Sequence, residues 1–85
     1  MWKVYILFSE LFRKTYVGCS SDSQARLKKH NEGHVISTKK YRPWKIVYEE
    51  SLENYNAARK RETYFKNASG RRKIKTIFKN LGLNN

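Results

Sequence analysis

The chain has 85 residues, one cysteine, and 19 lysines and arginines against 7 aspartates and glutamates, which gives a formal net charge of +12. This length predicts one small domain, and the single cysteine excludes a disulfide framework and a thiol-based zinc site. A positive field of this size favours nucleic acid as the partner over an anionic membrane, because the basic residues are spread through the chain rather than gathered on one amphipathic helix.

The apolar run at the N-terminus is too short for a membrane span. It extends from Trp2 to Phe8, is interrupted by Lys3, and is not followed by a small-residue cleavage site. We therefore expect a cytoplasmic protein with no membrane partner.

Two segments near the N-terminus predict a β-hairpin. Residues 2–8 alternate with the period of a strand whose two faces are both at least partly covered. Residues 9–14 form a polar turn, and residues 15–18 return as a second strand. A connection this short predicts antiparallel pairing, which brings Tyr5 and Tyr16 close together on a small sheet.

A first helix is predicted to begin near Ser21, which has capping-box spacing to Gln24, with Ser20, Asp22 and Ser23 as rival caps. It ends at Gly33, a residue suited to the left-handed conformation after a helix. Arg26 and His30 are four residues apart and therefore share a helix face.

The next segments predict a loop and a third strand. Residues 34–44 are polar and basic and contain the single proline, so they indicate a surface loop. Residues 44–50 have the composition of a strand.

A second helix is predicted from an N-cap at Asn54 through Asn67. Ala58, Glu62 and Phe65 share one face of this helix. Glu62 therefore lies between two apolar residues, on the face most suited to contact the sheet.

A last amphipathic helix is predicted to follow a break at Ser69 or Gly70 and to end at Gly82. Its apolar stripe contains Ile74, Ile77, Phe78 and Leu81. We expect residues 1–82 to form one α+β domain and residues 83–85 to fray.

Most familiar catalytic motifs are absent from the sequence. It has no glycine-rich phosphate loop, no pair of histidines four apart, no cysteine cluster and no nucleophile elbow, which argues against nucleotide hydrolases, zinc enzymes and serine hydrolases. The residues left for chemistry are tyrosine, arginine, histidine and one well-placed glutamate.

These residues occur in an order that resembles the GIY-YIG nuclease domain. Val4-Tyr5-Ile6 is followed by Tyr16-Val17-Gly18, by Arg26 ten residues after the second tyrosine, and by Glu62 on a later helix. Further stretches resemble the small stand-alone members of the family, which are similar to the N-terminal nuclease domain of the bacterial excision-repair endonuclease: residues 26–33, Thr38 with Pro43-Trp44, residues 58–66 and residues 69–71.

The resemblance implies an endonuclease that hydrolyses DNA phosphodiester bonds with one Mg²⁺ or Mn²⁺ ion, in DNA repair or recombination. It also implies a three-stranded antiparallel sheet flanked by about three helices. The implied partners are DNA, including branched or damaged DNA, and a protein that supplies specificity.

By the same resemblance, Glu62 is the metal ligand, and Tyr5 is the general base. Tyr16 positions the attacking water or the phosphate, and the roles of the two tyrosines are exchangeable. A free tyrosine has a pKa of about 10, so a phenolate base would need nearby cations or a metal-bound water. Without the resemblance, Glu62 is best explained as a structural ion pair with a base such as Arg26.

Arg26 suits the scissile phosphate, because its planar fork binds two oxygens and stays charged. His30, one turn further along, is expected to donate to the phosphate or to assist proton movement near pH 7. The alternative for both is an ordinary solvated position on a basic helix.

Three positions depart from the family pattern. Val4 replaces the glycine of the first half-motif, and Cys19 stands where excision-repair relatives commonly carry a lysine. Larger relatives also have a polar residue after the glutamate, for which Asn67 and Arg71 are alternatives. The cationic phosphate contact expected at position 19 is therefore missing.

Six basic residues are expected to contact the nucleic-acid backbone, which gives affinity without sequence information. They are Lys39, Lys40, Arg42, Arg71, Arg72 and Lys73. Two alternatives to a nuclease stay open: a nucleic-acid-binding module with weak or no catalysis, and a protein-interaction domain.

Overall fold

The fold is that of a computed structural model, which describes residues 1–83. Three antiparallel strands form one sheet in the order β2-β1-β3, with β1 Trp2–Ser9, β2 Lys14–Ser20 and β3 Lys45–Leu52. Within these residues there are four helices: α1 Ser23–Asn31, α2 Ile36–Lys39, α3 Tyr55–Lys66 and α4 Ala68–Asn80. The predicted α+β fold with a three-stranded antiparallel sheet is confirmed, with one helix more than predicted.

The central strand β1 is covered on both faces, as its alternation predicted. All residues from Val4 to Ser9 are buried. On one face, alternate β1 residues pack with Val17 against α3 and α4, through Ala58, Phe65, Ile74, Ile77 and Phe78. On the other face, Tyr5 and Leu7 pack with Trp44, Tyr16, Leu27, Tyr41 and Ile46. The sheet is therefore the middle layer of the molecule.

The segment 34–44 is not the surface loop that its polar composition predicted. It contains α2, and its residues Thr38 and Trp44 are buried. The Trp44 indole N–H donates to the Thr38 carbonyl at 2.9 Å, and the Asn31 side chain bonds both the backbone N–H and the carbonyl of Trp44, at 2.7 and 3.0 Å. These tertiary hydrogen bonds, which the local sequence does not encode, fold the segment against α1.

The first helix begins at Asp22, one of the rival caps, whose side chain accepts from the Ala25 N–H at 3.0 Å. Gly33 has φ of 84°, as expected of the residue after a helix.

The break between the last two helices lies at Asn67 rather than at Ser69 or Gly70. Asn67 ends α3 and also caps α4, by accepting from the Gly70 N–H at 3.0 Å. Gly70 lies inside α4, where a Cβ would overlap the Tyr64 carbonyl oxygen. Glycine is therefore needed for close packing of the two helices, not for a turn.

At the C-terminal end, Leu83 packs on the core and donates its backbone N–H to the Phe78 carbonyl at 2.8 Å. The predicted fraying from residue 83 therefore does not apply to Leu83, while Asn84 and Asn85 lie outside the described residues. No helix in residues 1–83 is long and apolar enough to cross a membrane.

Candidate active site

The Tyr5 hydroxyl reaches the edge of the sheet by passing over Gly18. The two residues are directly opposite each other in the β1–β2 ladder and therefore point to the same face. A Cβ on Gly18 would lie 2.5 Å from the Tyr5 hydroxyl oxygen and 2.7 Å from its Cζ. The absence of a side chain at position 18 is therefore what allows the ring to lie across the edge strand β2.

Tyr5 is a buried, neutral phenol. Only 1% of its surface is exposed, and burial raises the pKa of its hydroxyl, although the neighbouring Arg26 guanidinium opposes this increase. The hydroxyl lies 3.2 Å from His30 Nε2. Free ionisation of Tyr5 at neutral pH is thus disfavoured, and its proton has one defined neighbour.

His30 is also buried and is held between Tyr5 and Thr38. Its Nδ1 lies 2.8 Å from the Thr38 hydroxyl oxygen, which itself lies 3.3 Å from the Val35 carbonyl. Because Thr38 has one proton and gives it to the carbonyl, we assign the imidazole proton to Nδ1 and leave Nε2 to accept from Tyr5. Burial, together with Arg26, lowers the pKa of His30 to about 4.

This placement bears on the two roles predicted for His30. The residue is 0% exposed and lies behind Tyr5. Of the two roles, the geometry favours proton movement over a direct contact with a phosphate.

Tyr16 and Arg26 complete this face of the site. Tyr16 is half-buried, and its ring centre lies 5.0 Å from that of His30. Arg26 is half-buried on α1 and forms no ion pair with any carboxylate in residues 1–83. A guanidinium in this position is available to an anion from outside.

Glu62 approaches the same edge strand from the opposite face of the sheet. Its side chain is 12% exposed and lies 3.3 Å from Lys66 Nζ and 3.8 Å from Arg59 Nε. The Lys66 ammonium also lies 5.6 Å from the centre of the Tyr16 ring, so it connects the carboxylate to the tyrosine face. The ion-pair partners of Glu62 are therefore neighbours on its own helix, not Arg26.

Cys19 links Glu62 to β2. Its thiol donates to Glu62 Oε1 at 3.6 Å, and burial together with the carboxylate raises the pKa of the thiol. Cys19 follows Gly18 and so points to the face opposite Tyr5. The site therefore wraps around the edge of β2, with the phenols on one face and the carboxylate on the other.

The donor set at Glu62 suits a hard cation. Among the described residues, no group of three or more histidine, cysteine, aspartate or glutamate side chains comes together in a way that could hold a metal. Magnesium is commonly held through one or two carboxylates, with water and substrate phosphate as its other ligands. Glu62 meets that requirement, whereas a structural zinc site would need more protein ligands.

Sequence reasoning missed the two cations beside Glu62. Arg59 and Lys66 lie three residues before it and four after it, a spacing that places side chains together on a helix. That spacing was a usable signal, whereas the contact between Lys66 and Tyr16 depends on the tertiary fold.

The six basic candidates do not form one surface. Lys39, Lys40 and Arg42 are exposed at and after α2. On α4, Arg71 lies beside Thr15 of β2. In contrast, the charge of Lys73 helps to lower the pKa of Glu50 on β3.

Comparison with known proteins agrees with this geometry. The model of the GIY-YIG catalytic domain family matches residues 1–75. The chain is 38% identical over 63 residues to proteins named "UPF0213 protein" from Staphylococcus aureus strains Mu50, N315 and MW2, covering 73% of this chain and 77% of each relative. No solved structure matches significantly. The protein belongs to the GIY-YIG catalytic domain family, a family of nucleases.

Proposed function

We propose that this protein is a metal-dependent endonuclease that hydrolyses DNA phosphodiester bonds, acting on branched or damaged DNA in repair or recombination. The observation that supports this most is the meeting of two faces at β2. Tyr5, Tyr16 and Arg26 reach this edge strand from one side, and Glu62 reaches it from the other.

In this proposal Tyr5 and His30 act together as the base. The Tyr5 proton points to His30 Nε2, which leaves the lone pairs of the phenol oxygen for an attacking water. As the water loses a proton to the Tyr5 oxygen, the Tyr5 proton moves to Nε2. A phenol whose pKa is raised by burial needs such an acceptor, because it does not ionise by itself near pH 7.

Charge on the phosphate is neutralised by two cations. Arg26 can bind two phosphate oxygens with its planar fork. Lys66, beside Tyr16, supplies a positive charge close to the second half-motif, where Cys19 has removed the lysine of excision-repair relatives. Tyr16 then orients the water or the phosphate between them.

Glu62 is the proposed ligand of Mg²⁺ or Mn²⁺. When bound, the ion supplies Lewis-acid stabilisation of the charge that develops on phosphate oxygens. The contacts of Glu62 with Lys66 and Arg59 are long, and both bases are more than half exposed. Such pairs are worth only about 0.5 kcal/mol each, so they are readily exchanged.

The experiment is cleavage of branched, nicked and single-stranded DNA with and without Mg²⁺ or Mn²⁺. We expect metal-dependent products from the wild type, and none from Glu62→Gln or Tyr5→Phe. Glu53→Gln is the matched control, because it removes an exposed carboxylate after β3. Cleavage by Glu62→Gln at the wild-type rate would overturn the proposed role of this residue.

A nucleic-acid-binding module with weak or no catalysis is the second candidate. It is favoured by the raised pKa of Tyr5 and by the two cations that already occupy Glu62. The same experiment separates the two. DNA binding that is retained in all variants, with no metal-dependent cleavage by the wild type, would identify the module.

A further inference from the structure

A second pocket lies further along β2, near the start of the strand. It has a volume of about 290 Å³ and is lined by Thr15, Arg71, Ile74 and Lys75. Thr15 pairs with Phe8, so it points to the face of the sheet that α3 and α4 cover. Ile74 is 7% exposed and forms an apolar floor.

The polar groups of this pocket suit an oxyanion. Arg71 and Lys75 are one helical turn apart on the same side of α4. Neither forms an ion pair with a carboxylate in the part of the chain that the structure describes. A guanidinium, an ammonium and a hydroxyl all donate hydrogen bonds, and no acidic side chain lines the pocket.

The pocket lies on the same face of the same strand as Glu62. Thr15 and Cys19 both point to the α3 side of β2, and Cys19 contacts Glu62. Four residues of a strand span about 13 Å. Phosphates of one strand of B-form DNA are spaced by about 3.4 Å along the axis, so this distance corresponds to about four nucleotides.

Lys66 fills the space between the pocket and Glu62 with positive charge. It lies beside Tyr16, which follows Thr15 directly in the strand. The edge of β2 therefore has a basic side chain beside it from the pocket to the candidate active site.

We propose that this pocket binds a backbone phosphate of the nucleic-acid substrate about four nucleotides from the scissile bond, and that it aligns the strand along β2. The inference rests on the proposed function, since it assumes that the scissile phosphate lies at Glu62. It separates Arg71 from Arg72 and Lys73, which the sequence alone placed in one basic group.

The test compares two double variants that remove the same charges from the same helix. Arg71→Gln/Lys75→Gln empties the pocket, whereas Arg72→Gln/Lys73→Gln removes one arginine and one lysine from the rest of α4. Binding of a fluorescent branched duplex is measured by anisotropy at several salt concentrations, without divalent metal. Thermal unfolding checks that both variants fold.

We expect the slope of log Kobs against log salt to decrease in magnitude by about 1 in the pocket variant, the value for one lost phosphate contact, and to stay unchanged in the control. The milder variant Thr15→Val should weaken binding in the same direction, without a change in charge. Equal changes in the two double variants would overturn the pocket.

A second measurement locates the contact on the DNA. Single neutral methylphosphonates are placed at successive positions from the junction of the branched duplex. We expect a position that weakens binding to the wild type and has no further effect on the pocket variant. If every position affects both proteins equally, the pocket holds no defined phosphate.

These measurements do not depend on catalysis. A protein that binds DNA through the pocket but does not cleave it would overturn the nuclease proposal and leave the phosphate site standing. Metal-dependent cleavage with an unaltered salt slope in the pocket variant would do the reverse.

Discussion

Two glutamates beside α3 lie at opposite edges of the sheet and show what separates a structural carboxylate from an available one. Glu50 of β3 accepts two hydrogen bonds from Arg61, at 2.7 and 2.9 Å, and one from Tyr48 at 2.6 Å. The contacts of Glu62 with charged groups are longer, at 3.3 and 3.8 Å. Short bidentate pairing saturates Glu50, whereas Glu62 can exchange its partners.

The same contrast extends to the charge at each edge. Glu49 and Glu50 lie on β3, the strand at one edge of the sheet. The β2 edge has basic side chains beside it, from Lys66 near Tyr16 to Arg71 near Thr15. A polyanion is therefore repelled from one edge and attracted to the other, so the net charge of +12 is also a directional signal.

The largest expected effect comes from exchanging the two glutamates for glutamine, one at a time. Glu62→Gln should lower metal-dependent cleavage by roughly 1,000-fold, because it removes the proposed metal ligand, and should leave stability nearly unchanged. Glu50→Gln should instead cost about 2 kcal/mol of stability, because it leaves Arg61 without its charged partner. Cleavage rates and chemical denaturation measure the two effects. If both variants lose the same property, the contrast between the edges is wrong.

Tyr5 lies between the two edges, opposite Gly18 on β2 and opposite Glu49 on β3. Gly18→Ala should destabilise the protein by about 1–3 kcal/mol, as overpacked cores do, and should reduce cleavage by displacing the phenol. Glu49→Gln, on the other side, should leave cleavage nearly unchanged. Denaturation and single-turnover cleavage test this pair, and a Gly18→Ala protein with normal cleavage would show that the Tyr5 position is not critical.

Two separate pH windows should distinguish the edges in stability measurements. The folded pKa of His30 is lowered to about 4 from 6.5, so its contribution is present above pH 6.5 and is lost as the pH falls towards 4. That shift corresponds to at most about 3 kcal/mol. The pKa of Glu50 is lowered from 4.5, so its contribution is lost at still lower pH.

The matched variants are His30→Gln and Glu50→Gln, unfolded by denaturant at a series of pH values. We expect His30→Gln to flatten the stability curve only in the upper window, and Glu50→Gln only in the lower one. A wild-type curve that is flat between pH 6.5 and 4 would contradict the assigned burial of a neutral imidazole.

The smallest expected effect concerns Thr38, on the tyrosine face of the sheet. Thr38→Val should cost about 1–2 kcal/mol, because the His30 Nδ1–H loses its acceptor, whereas Thr38→Ser should retain the hydrogen bond. ¹⁵N chemical shifts of the imidazole report the tautomer directly. We expect the Nδ1–H form in the wild type and in Thr38→Ser, and a change in Thr38→Val. An unchanged tautomer in all three proteins would exclude Thr38 as the residue that sets it.

The sequence predicted the strands and the position of Glu62, because period-two and helical patterns reflect which face is buried. It did not predict the burial of His30 and Thr38. That burial depends on Trp44 and Asn31, which bring a polar segment against α1 through hydrogen bonds between residues far apart in the chain.

The partners of the charged residues were also beyond the sequence pattern. A helix face can be predicted from spacing, but which strand edge it meets depends on how the helix crosses the sheet. Arg61 and Glu62 are adjacent in the chain, yet one pairs with β3 and the other contacts β2. Only the packing of α3 across the sheet separates them.

Asn67 leaves no slack between the two halves of the basic edge, since it closes α3 and opens α4. Inserting a single residue there would rotate α4 by about 100° relative to α3 and carry Arg71 away from Thr15. In effect, one asparagine acts as the joint of a molecular ruler, and the distance between cleavage and anchoring would be a length written into the backbone.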